Sequence, residues 1–229
     1  MNYEIIKWNL LTKNEQIASI QRPVIESQES QEEIISEIFK NVNRDGDIAL
    51  KSYTKKFDGV ELNDLVMSDN DIESAFQRTS SNLIRSIENA IRNIERFHKQ
   101  NIQEYTGPVE VNPGVECQII RRPIDNVGLY IPAGNNPLPS TAIMLGVPSS
   151  LAKNKNSILV SPPNNQGLVN DSIVVAAKLS GIDTIFNVGG AQSIAALALG
   201  TESIPQVNKI FGPGNSWVTK AKQMIATLG

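Results

Sequence analysis

The fold class follows from Ile210-Phe-Gly-Pro-Gly-Asn-Ser-Trp-Val-Thr219, read together with Asn187-Val-Gly-Gly-Ala-Gln192. Each stretch is a short apolar run that breaks into a glycine loop and then opens a helix. A third loop of this kind, Gly128-Leu-Tyr-Ile-Pro-Ala-Gly-Asn-Asn136, lies upstream. Glycines let a backbone approach a ligand closely, and the helix N-termini that follow present free N–H groups. The pattern therefore predicts an open α/β sheet with a ligand-binding edge.

From residue 126 onward, a strand, a loop and a helix follow one another four times. The strands are near-continuous apolar runs, which is typical of strands with both faces covered. Consecutive units of this length predict a parallel sheet with right-handed crossovers, so all three glycine loops should lie at one edge. The predicted strands are Val127–Ile131, Ser157–Ser161, Asp183–Val188 and Val207–Phe211.

The first half of the chain has a different composition. Only nine of the 45 Asp, Glu, Lys and Arg residues lie after residue 125, so the first half reads as amphipathic helices with solvated faces. We predict a short strand and a small helix in 1–25, and a hairpin around Asn112-Pro-Gly114. The other predicted helices begin at a Ser30–Glu33 capping box and end at Gly46, cover 48–57 before Asp58-Gly59, start at Ser68, and run from about 80 to 102.

Together these patterns predict an α/β fold with an N-terminal helical arm and an incomplete, Rossmann-like parallel sheet of βα units. The predicted division is a helical region with a short hairpin at 1–125 and the α/β domain at 126–229. Two features stay open. The apolar stripe from Leu83 to Phe97 either packs on the rest of the chain or forms an oligomer seam. Arg121 and Arg122 either lie in a solvated turn or meet an anionic ligand.

Bulk composition excludes several classes of protein. A formal net charge of −3 argues against nucleic-acid or membrane-surface binding through bulk electrostatics. A single cysteine excludes an intrachain disulfide and fits a reducing compartment. No secretory signal is visible, and no run approaches the ~20 apolar residues of a membrane span. We expect a cytoplasmic protein without a nucleic-acid or membrane partner.

The loop edge offers hydrogen bonding and almost no charge. Besides backbone N–H groups it carries the phenol of Tyr130 and the carboxamides of Gln192 and Asn215. This chemistry suits a sugar, a pyrophosphate or an amide, although such glycine loops also serve as plain tight turns and match neither common phosphate-binding motif. No catalytic or metal-binding constellation is apparent. We interpret His98 as structural or solvated, and Cys117 as a small strand residue.

The motifs closely resemble those of histidinol dehydrogenases. The resemblance rests on Gly128-Leu-Tyr-Ile-Pro132, Phe186-Asn-Val-Gly-Gly-Ala-Gln192 and, above all, Lys209-Ile-Phe-Gly-Pro-Gly-Asn215. In the first half, Arg22-Pro23 and Lys56-Phe-Asp58 follow the same order and spacing. The resemblance covers essentially all 229 residues.

The resemblance implies an enzyme dependent on NAD and zinc that oxidises L-histidinol through the aldehyde to L-histidine. It also implies a cytoplasmic homodimer. Three positions match those that bind NAD in the family, namely Tyr130, Gln192 and Asn215. All three fall on the loop edge that the glycine pattern predicts.

The chain also departs from the family pattern. Family members continue with a second α/β domain that supplies the zinc ligands, the acid/base pair and the substrate contacts. We therefore assign no catalytic residue and no metal ligand to this chain. Ala133 stands where the family usually has glycine, which predicts an altered backbone there, and the segment Asn164–Asp171 is longer than usual.

We expect the N-terminal, cofactor-side portion of such an enzyme, inactive alone, because the chain stops after its last helix without a fifth strand. The alternative is a non-catalytic NAD-binding or dimerisation module. A truncated sheet also predicts exposed apolar surface, and hence aggregation or a partner that covers the free edge.

Overall fold

The computed structural model describes residues 6–21, 28–100, 107–133 and 136–228. The first half of the chain is helical, as predicted. After a 3-10 turn at Trp8–Leu10 come four helices, and the start of the predicted first strand and Arg22-Pro23 lie outside the described residues. The helices are α1 (Lys13–Ile20), α2 (Gln28–Asp58), α3 (Asp69–Arg78) and α4 (Ser81–Lys99).

Helix α2 corrects one prediction and explains another. It begins at Gln28, so the predicted helix start at Ser30 is wrong, and the two predicted helices form one run with a break at Gly46. Gly46 has a φ of 52° and a ψ of −127°, a backbone conformation that residues other than glycine rarely adopt. At the break the Asp47 N–H donates to Glu202 Oε2 at 2.8 Å. The break therefore fastens α2 to the segment that follows α7.

The apolar stripe on α4 packs within the chain. Ile87 is buried, and Ile84, Ile91 and Ile94 contact the core beneath α5 and α6. The first of the two open alternatives for this stripe is therefore confirmed for most of its length. The preceding helix, α3, begins as predicted with a capping box, in which the Ser68 hydroxyl accepts from the Asp71 N–H.

Four parallel strands form the sheet, in the spatial order β5-β4-β3-β6. The parallel sheet and its four βα units are confirmed. Helix α5 has Pro139 at its first position and Leu138 at its N-cap, so the predicted cap at Ser140-Thr141 is wrong. The strands are β3 (Asn126–Tyr130), β4 (Asn156–Val160), β5 (Thr184–Phe186) and β6 (Lys209–Phe211), and the helices are α5 (Pro139–Ala152), α6 (Asp171–Leu179), α7 (Gly190–Leu199) and α8 (Ser216–Leu228).

Helices from both halves of the chain cover the two faces of the sheet. On one face α7 and α8 pack with α2 around a core that includes Tyr130, Val160 and Leu197. On the other face α5 and α6 pack with α3 and α4 around a core that includes Leu129 and Leu159. The alternation of side chains along β3 and β4 places neighbouring residues in opposite cores. The N-terminal helices thus form an outer layer on each face.

The predicted hairpin is present as β1 (Val109–Asn112) and β2 (Val115–Cys117), which pair antiparallel. Every residue of both strands is exposed, including Cys117. Two large apolar side chains that follow, Ile119 and Ile120, are also exposed. The hairpin is therefore a strand pair whose two faces are both open in the described structure.

The strand order creates a switch point between β3 and β6. The chain proceeds from β3 through β4 to β5 in one direction and then crosses back to place β6 on the other side of β3. In open α/β sheets, ligands bind outside the carboxyl ends of the strands where the order reverses. The loops that follow Tyr130 and Phe211 meet at this point.

Candidate functional site at the carboxyl edge of the sheet

Tyr130, the last residue of β3, connects two of the glycine loops. Its side chain is buried, and its backbone carbonyl lies directly against Gly212. Burial raises the pKa of the Tyr130 phenol, hydrogen bonding from the backbone of Gly190 opposes the rise, and the charge of Asp58 adds to it. Tyr130 thus joins the end of β3 to the loop after β6 through its backbone carbonyl and to the N-terminus of α7 through its phenol.

The loop after β6 is held tightly. Gly212 has a φ of 130°, and a Cβ atom there would lie 2.0 Å from the carbonyl oxygen of Tyr130. On the other side, Lys222 Nζ donates to the Gly212 carbonyl at 2.5 Å. Burial lowers the pKa of the Lys222 ammonium group. Lys222 therefore places a partly desolvated cation beside a loop for which the sequence predicted almost no charge.

Asn215 is exposed and forms the N-terminal cap of α8. Its Oδ1 accepts from the Val218 N–H at 3.1 Å, and its backbone carbonyl accepts from the Thr219 N–H at 2.9 Å. Its amide group, Nδ2, has no partner among the described residues. Asn215 can therefore keep α8 in place and still donate to a ligand.

Gln192 lies in the first turn of α7 and is buried, with 1% of its surface exposed. Its carboxamide folds back over Gly190, where a Cβ atom would lie 2.6 Å from Gln192 Oε1. The hydroxyl of Ser193 donates to the Gly190 carbonyl at 2.8 Å. Of the three residues predicted to bind NAD, only Asn215 is exposed in this conformation.

The first loop is described only in part, because Gly134 and Asn135 lie outside the described residues. Ala133 is partly buried and packs against the core beneath α5 and α6. Its φ is not in the left-handed region. At residue 133 itself, the backbone is therefore one that alanine adopts without strain.

Asn187, the first residue of the glycine-loop motif after β5, has a structural role. Its Oδ1 accepts from the Val169 N–H at 2.9 Å, and its own N–H donates to the Leu65 carbonyl at 2.7 Å. The side chain is buried. Asn187 thus ties the loop after β4 and the segment after α2 to the carboxyl edge of the sheet.

The end of α2 brings a carboxylate to this edge. Asp58 Oδ2 is buried and has no hydrogen-bond partner among the described residues. Burial raises the pKa of the Asp58 carboxyl group. The sequence indicated only a helix end at Asp58-Gly59, because periodicity does not show where a helix end lies in the fold. Lys222 was not predicted from the sequence either. Its place seven residues after Asn215 predicts that the two residues lie on the same face of α8.

The basic residues considered in the sequence lie elsewhere. His98, Arg121 and Arg122 line a groove of about 390 Å³ with the C-terminal end of α5. Because α5 starts at the carboxyl end of β3 and leads to the amino end of β4, this groove lies at the opposite edge of the sheet. Both arginines are exposed, which fits the first of the two alternatives for them, a solvated turn.

The described ranges contain neither a cluster of metal ligands nor a membrane-spanning helix. In residues 6–21, 28–100, 107–133 and 136–228, no three His, Cys, Asp or Glu side chains are grouped so that they could hold a metal ion. Over the same ranges, no helix combines the length and the apolar character needed to cross a bilayer.

A parallel sheet in the order β5-β4-β3-β6, with glycine loops and helix N-termini at its switch point, defines the class of Rossmann-like α/β proteins. Comparison with known proteins narrows the class. Residues 21–228 match the family model for histidinol dehydrogenase, and the chain belongs to that family.

Individual relatives agree with the family model. Histidinol dehydrogenase from Escherichia coli K12 is 45% identical over 223 residues, which are 97% of this chain and 50% of that protein. The enzyme from Xanthomonas campestris pv. campestris is 42% identical over 224 residues, 98% of this chain and 52% of that protein. A crystal structure of histidinol dehydrogenase from Elizabethkingia anophelis superposes with a TM-score of 0.87 at 42% identity, covering 96% of this chain and 50% of that one. The chain spans about half the length of these relatives.

Proposed function

We propose that this chain forms the cofactor side of an NAD- and zinc-dependent enzyme that oxidises L-histidinol to L-histidine through the aldehyde. Membership of the histidinol dehydrogenase family supports the reaction class. The observation that carries the proposal is the position of Tyr130, which contacts the Gly212 loop and interacts with the backbone of Gly190 at the switch point of the sheet. The compartment we propose is the cytoplasm.

The residues at the edge suit a dinucleotide. NAD, when bound, supplies the acceptor for the hydride that leaves the alcohol carbon. The N-termini of α7 and α8 suit its pyrophosphate, because their free N–H groups and dipoles favour negative charge. We propose that Asn215 and Tyr130 donate hydrogen bonds to the cofactor. Gln192 joins them after its carboxamide turns away from Gly190.

We place the zinc site outside this chain. The described residues do not fit a zinc ion, since no three suitable ligand side chains are grouped there. Our proposal assigns the zinc ligands, the acid/base groups and the substrate contacts to the half of the relatives that this chain does not match. The chain alone should then bind cofactor without turnover.

The test separates binding from catalysis. We expect the purified 229-residue chain to bind NAD⁺ in a calorimetric titration and to produce no NADH from L-histidinol, with or without zinc. Replacing Asn215 by alanine should weaken NAD⁺ binding. It also removes the α8 cap, which should lower stability by about 1 kcal/mol. Robust zinc-dependent turnover would contradict the proposed division of labour, and an absence of NAD⁺ binding would contradict the cofactor assignment.

The second candidate function is a non-catalytic NAD-binding or dimerisation module. Exposed apolar surface favours an association role. Among the described strands β6 pairs only with β3, so its other edge is open. A separate groove of about 350 Å³ between β3 and α5 is lined by Leu129, Met144 and Phe211 among others. The stripe on α4 cannot supply most of this surface, because it packs on α5 and α6.

We therefore predict that the isolated chain self-associates. An open strand edge and a contiguous apolar patch both promote association in water. Light scattering should show dimers or larger species at micromolar concentration, and replacing Phe211 and Ile119 by lysine should shift them toward monomers. Matched lysine substitutions at Ile17 and Ile20, which are exposed on α1, serve as the control. A wild-type chain that stays monomeric would count against both self-association and the homodimer that the family resemblance implies.

A further inference from the structure

Two buried oxygen atoms near the C-terminal end of α2 lack partners. Thr54 Oγ1 and Asp58 Oδ2 are buried without a hydrogen bond to any described residue. The two residues are four positions apart and therefore lie on the same face of the helix. Buried polar groups in folded proteins are almost always satisfied, so an unsatisfied carboxylate calls for an explanation.

The fold brings this carboxylate to the candidate site. Immediately after Asp58 the chain packs against the loop that follows β4, where a Cβ atom on Gly167 would lie 3.1 Å from Leu62. It then runs along β5, where the Met67 N–H donates to the Ile185 carbonyl at 2.9 Å. Asp58 thus lies where the chain crosses the carboxyl edge. It is close enough to the Tyr130 phenol to interact with it electrostatically, without a hydrogen bond between them.

No neighbouring cation neutralises this carboxylate among the described residues. Lys55, on the preceding turn, pairs with Glu61, and Lys56 lies over the ring of Phe57. Although its Oδ2 is buried, Asp58 is only partly buried as a residue, so the solvent-facing part of its carboxyl group is open to a ligand. A carboxylate without a cation accepts hydrogen bonds from hydroxyl groups and repels phosphate groups.

We propose that Asp58 accepts a hydrogen bond from a ribose hydroxyl of the dinucleotide bound at the loop edge, and so selects a dinucleotide without a 2′-phosphate. The chemistry is that of the acidic residue in other dinucleotide-binding folds, which binds the ribose 2′-hydroxyl. Here the residue comes from a helix that precedes the sheet. This inference rests on the proposed cofactor function, and it adds a determinant of specificity to it.

If Asp58 had only a structural role, replacing it should lower the stability of the folded chain. A role in ligand binding predicts no such loss. The buried position opposes ionisation of Asp58, so its charge destabilises the folded chain at neutral pH. The substitution Asp58→Asn removes that charge and keeps the shape of the side chain. We expect a thermal unfolding midpoint at or above that of the wild type. A gain in stability together with a loss in ligand selectivity is typical of a binding residue.

The experiment measures the affinities of NAD⁺ and NADP⁺ for the 229-residue chain and its variants by calorimetric titration. The wild type should prefer NAD⁺. In Asp58→Asn the ratio of NAD⁺ to NADP⁺ affinity should fall by about tenfold or more, because a charge-assisted hydrogen bond is lost and a repulsion is removed. Asp64→Asn is the matched control, because Asp64 is an exposed aspartate in the segment just after α2. This variant should leave the ratio unchanged.

The outcomes distinguish this inference from the function on which it rests. A wild-type chain that binds NAD⁺, with an unchanged ratio in Asp58→Asn, would overturn the role of Asp58 alone. A wild-type chain that binds neither dinucleotide would overturn the cofactor assignment and this inference together. Asp58→Ser provides a second variant, and it should show the same fall in the ratio if Asp58→Asn fails to fold.

Discussion

Replacing Gly212 by alanine is expected to destabilise the folded chain severely. The φ of 130° at Gly212 is strained for any residue with a side chain. The added Cβ would also lie 2.0 Å from the Tyr130 carbonyl oxygen. That oxygen belongs to the backbone of β3. Because β3 is hydrogen-bonded to both β4 and β6, its backbone cannot move aside alone.

The two effects add. Backbone strain of this kind costs about 1–3 kcal/mol, and overpacking adds about 1–3 kcal/mol. The expected loss of about 2–6 kcal/mol is a large part of the 5–15 kcal/mol by which domains are typically stable. Chemical unfolding in urea, followed by circular dichroism, would measure the change in the free energy of unfolding.

Gly114→Ala is the control for this prediction. Gly114 also has a positive φ, 80°, but no atom lies within 4 Å of the position that a Cβ would occupy, so only backbone strain applies. It should lose about 1 kcal/mol, the lower end of the cost of an αL residue. Equal losses in the two variants would show that the loop after β6 can move away from Tyr130.

The second large effect is expected from substitutions at Tyr130. Two variants separate the contribution of its ring to packing from the contribution of its phenol oxygen. Tyr130→Ala should cost about 3–5 kcal/mol, because it empties a buried aromatic site in the core shared by α2 and α7. Tyr130→Phe keeps the ring and removes the phenol oxygen that interacts with the backbone of Gly190. Its cost should stay at about 1–3 kcal/mol, the range for one buried hydrogen-bonding group left without a partner.

The chemical part of the prediction concerns the cofactor. Because Tyr130→Phe retains the packing, any change in NAD⁺ affinity reports on the phenol, and we expect binding about tenfold weaker. Tyr53→Phe is the control. Tyr53 also lies on the α2 side, and its hydroxyl accepts from Asn41 Nδ2 at 2.7 Å, away from the glycine loops. If the two phenylalanine variants bind NAD⁺ equally well, Tyr130 has a structural role only.

Local patterns in the sequence predicted the elements well. The apolar runs identified all four parallel strands, because the runs are continuous and β3, β4 and β5 are largely buried. The residues of the edge strand β6 are largely exposed. The cap at Ser68 and the apolar stripe on α4 were also predicted correctly, because each depends on residues that are close together in the sequence. The errors lie at boundaries such as Ser30 and Ser140, where a capping side chain is only one of several ways to start a helix.

The candidate site was predicted less completely. The three glycine loops were placed correctly at one edge, since a parallel sheet puts every strand-to-helix loop there. The roles of individual residues in the structure differ from the predicted roles, however. Gly212 was interpreted as allowing close approach of a ligand, and in the structure it allows close approach of the Tyr130 carbonyl. Asn187 opened the motif, and it hydrogen bonds to Val169 and Leu65.

The sequence by itself determined the class of the fold, the parallel direction of the strands and the family. These depend on periodicity, glycine positions and motifs, which are local properties of the chain. Only the tertiary structure decided that β6 lies beside β3, that Lys222 reaches the Gly212 carbonyl, and that an unpaired Asp58 comes near the Tyr130 phenol. The physical reason is distance along the chain. Asp58 and Tyr130 are brought together by the packing of α2 on α7, and no local pattern records which helix packs on which.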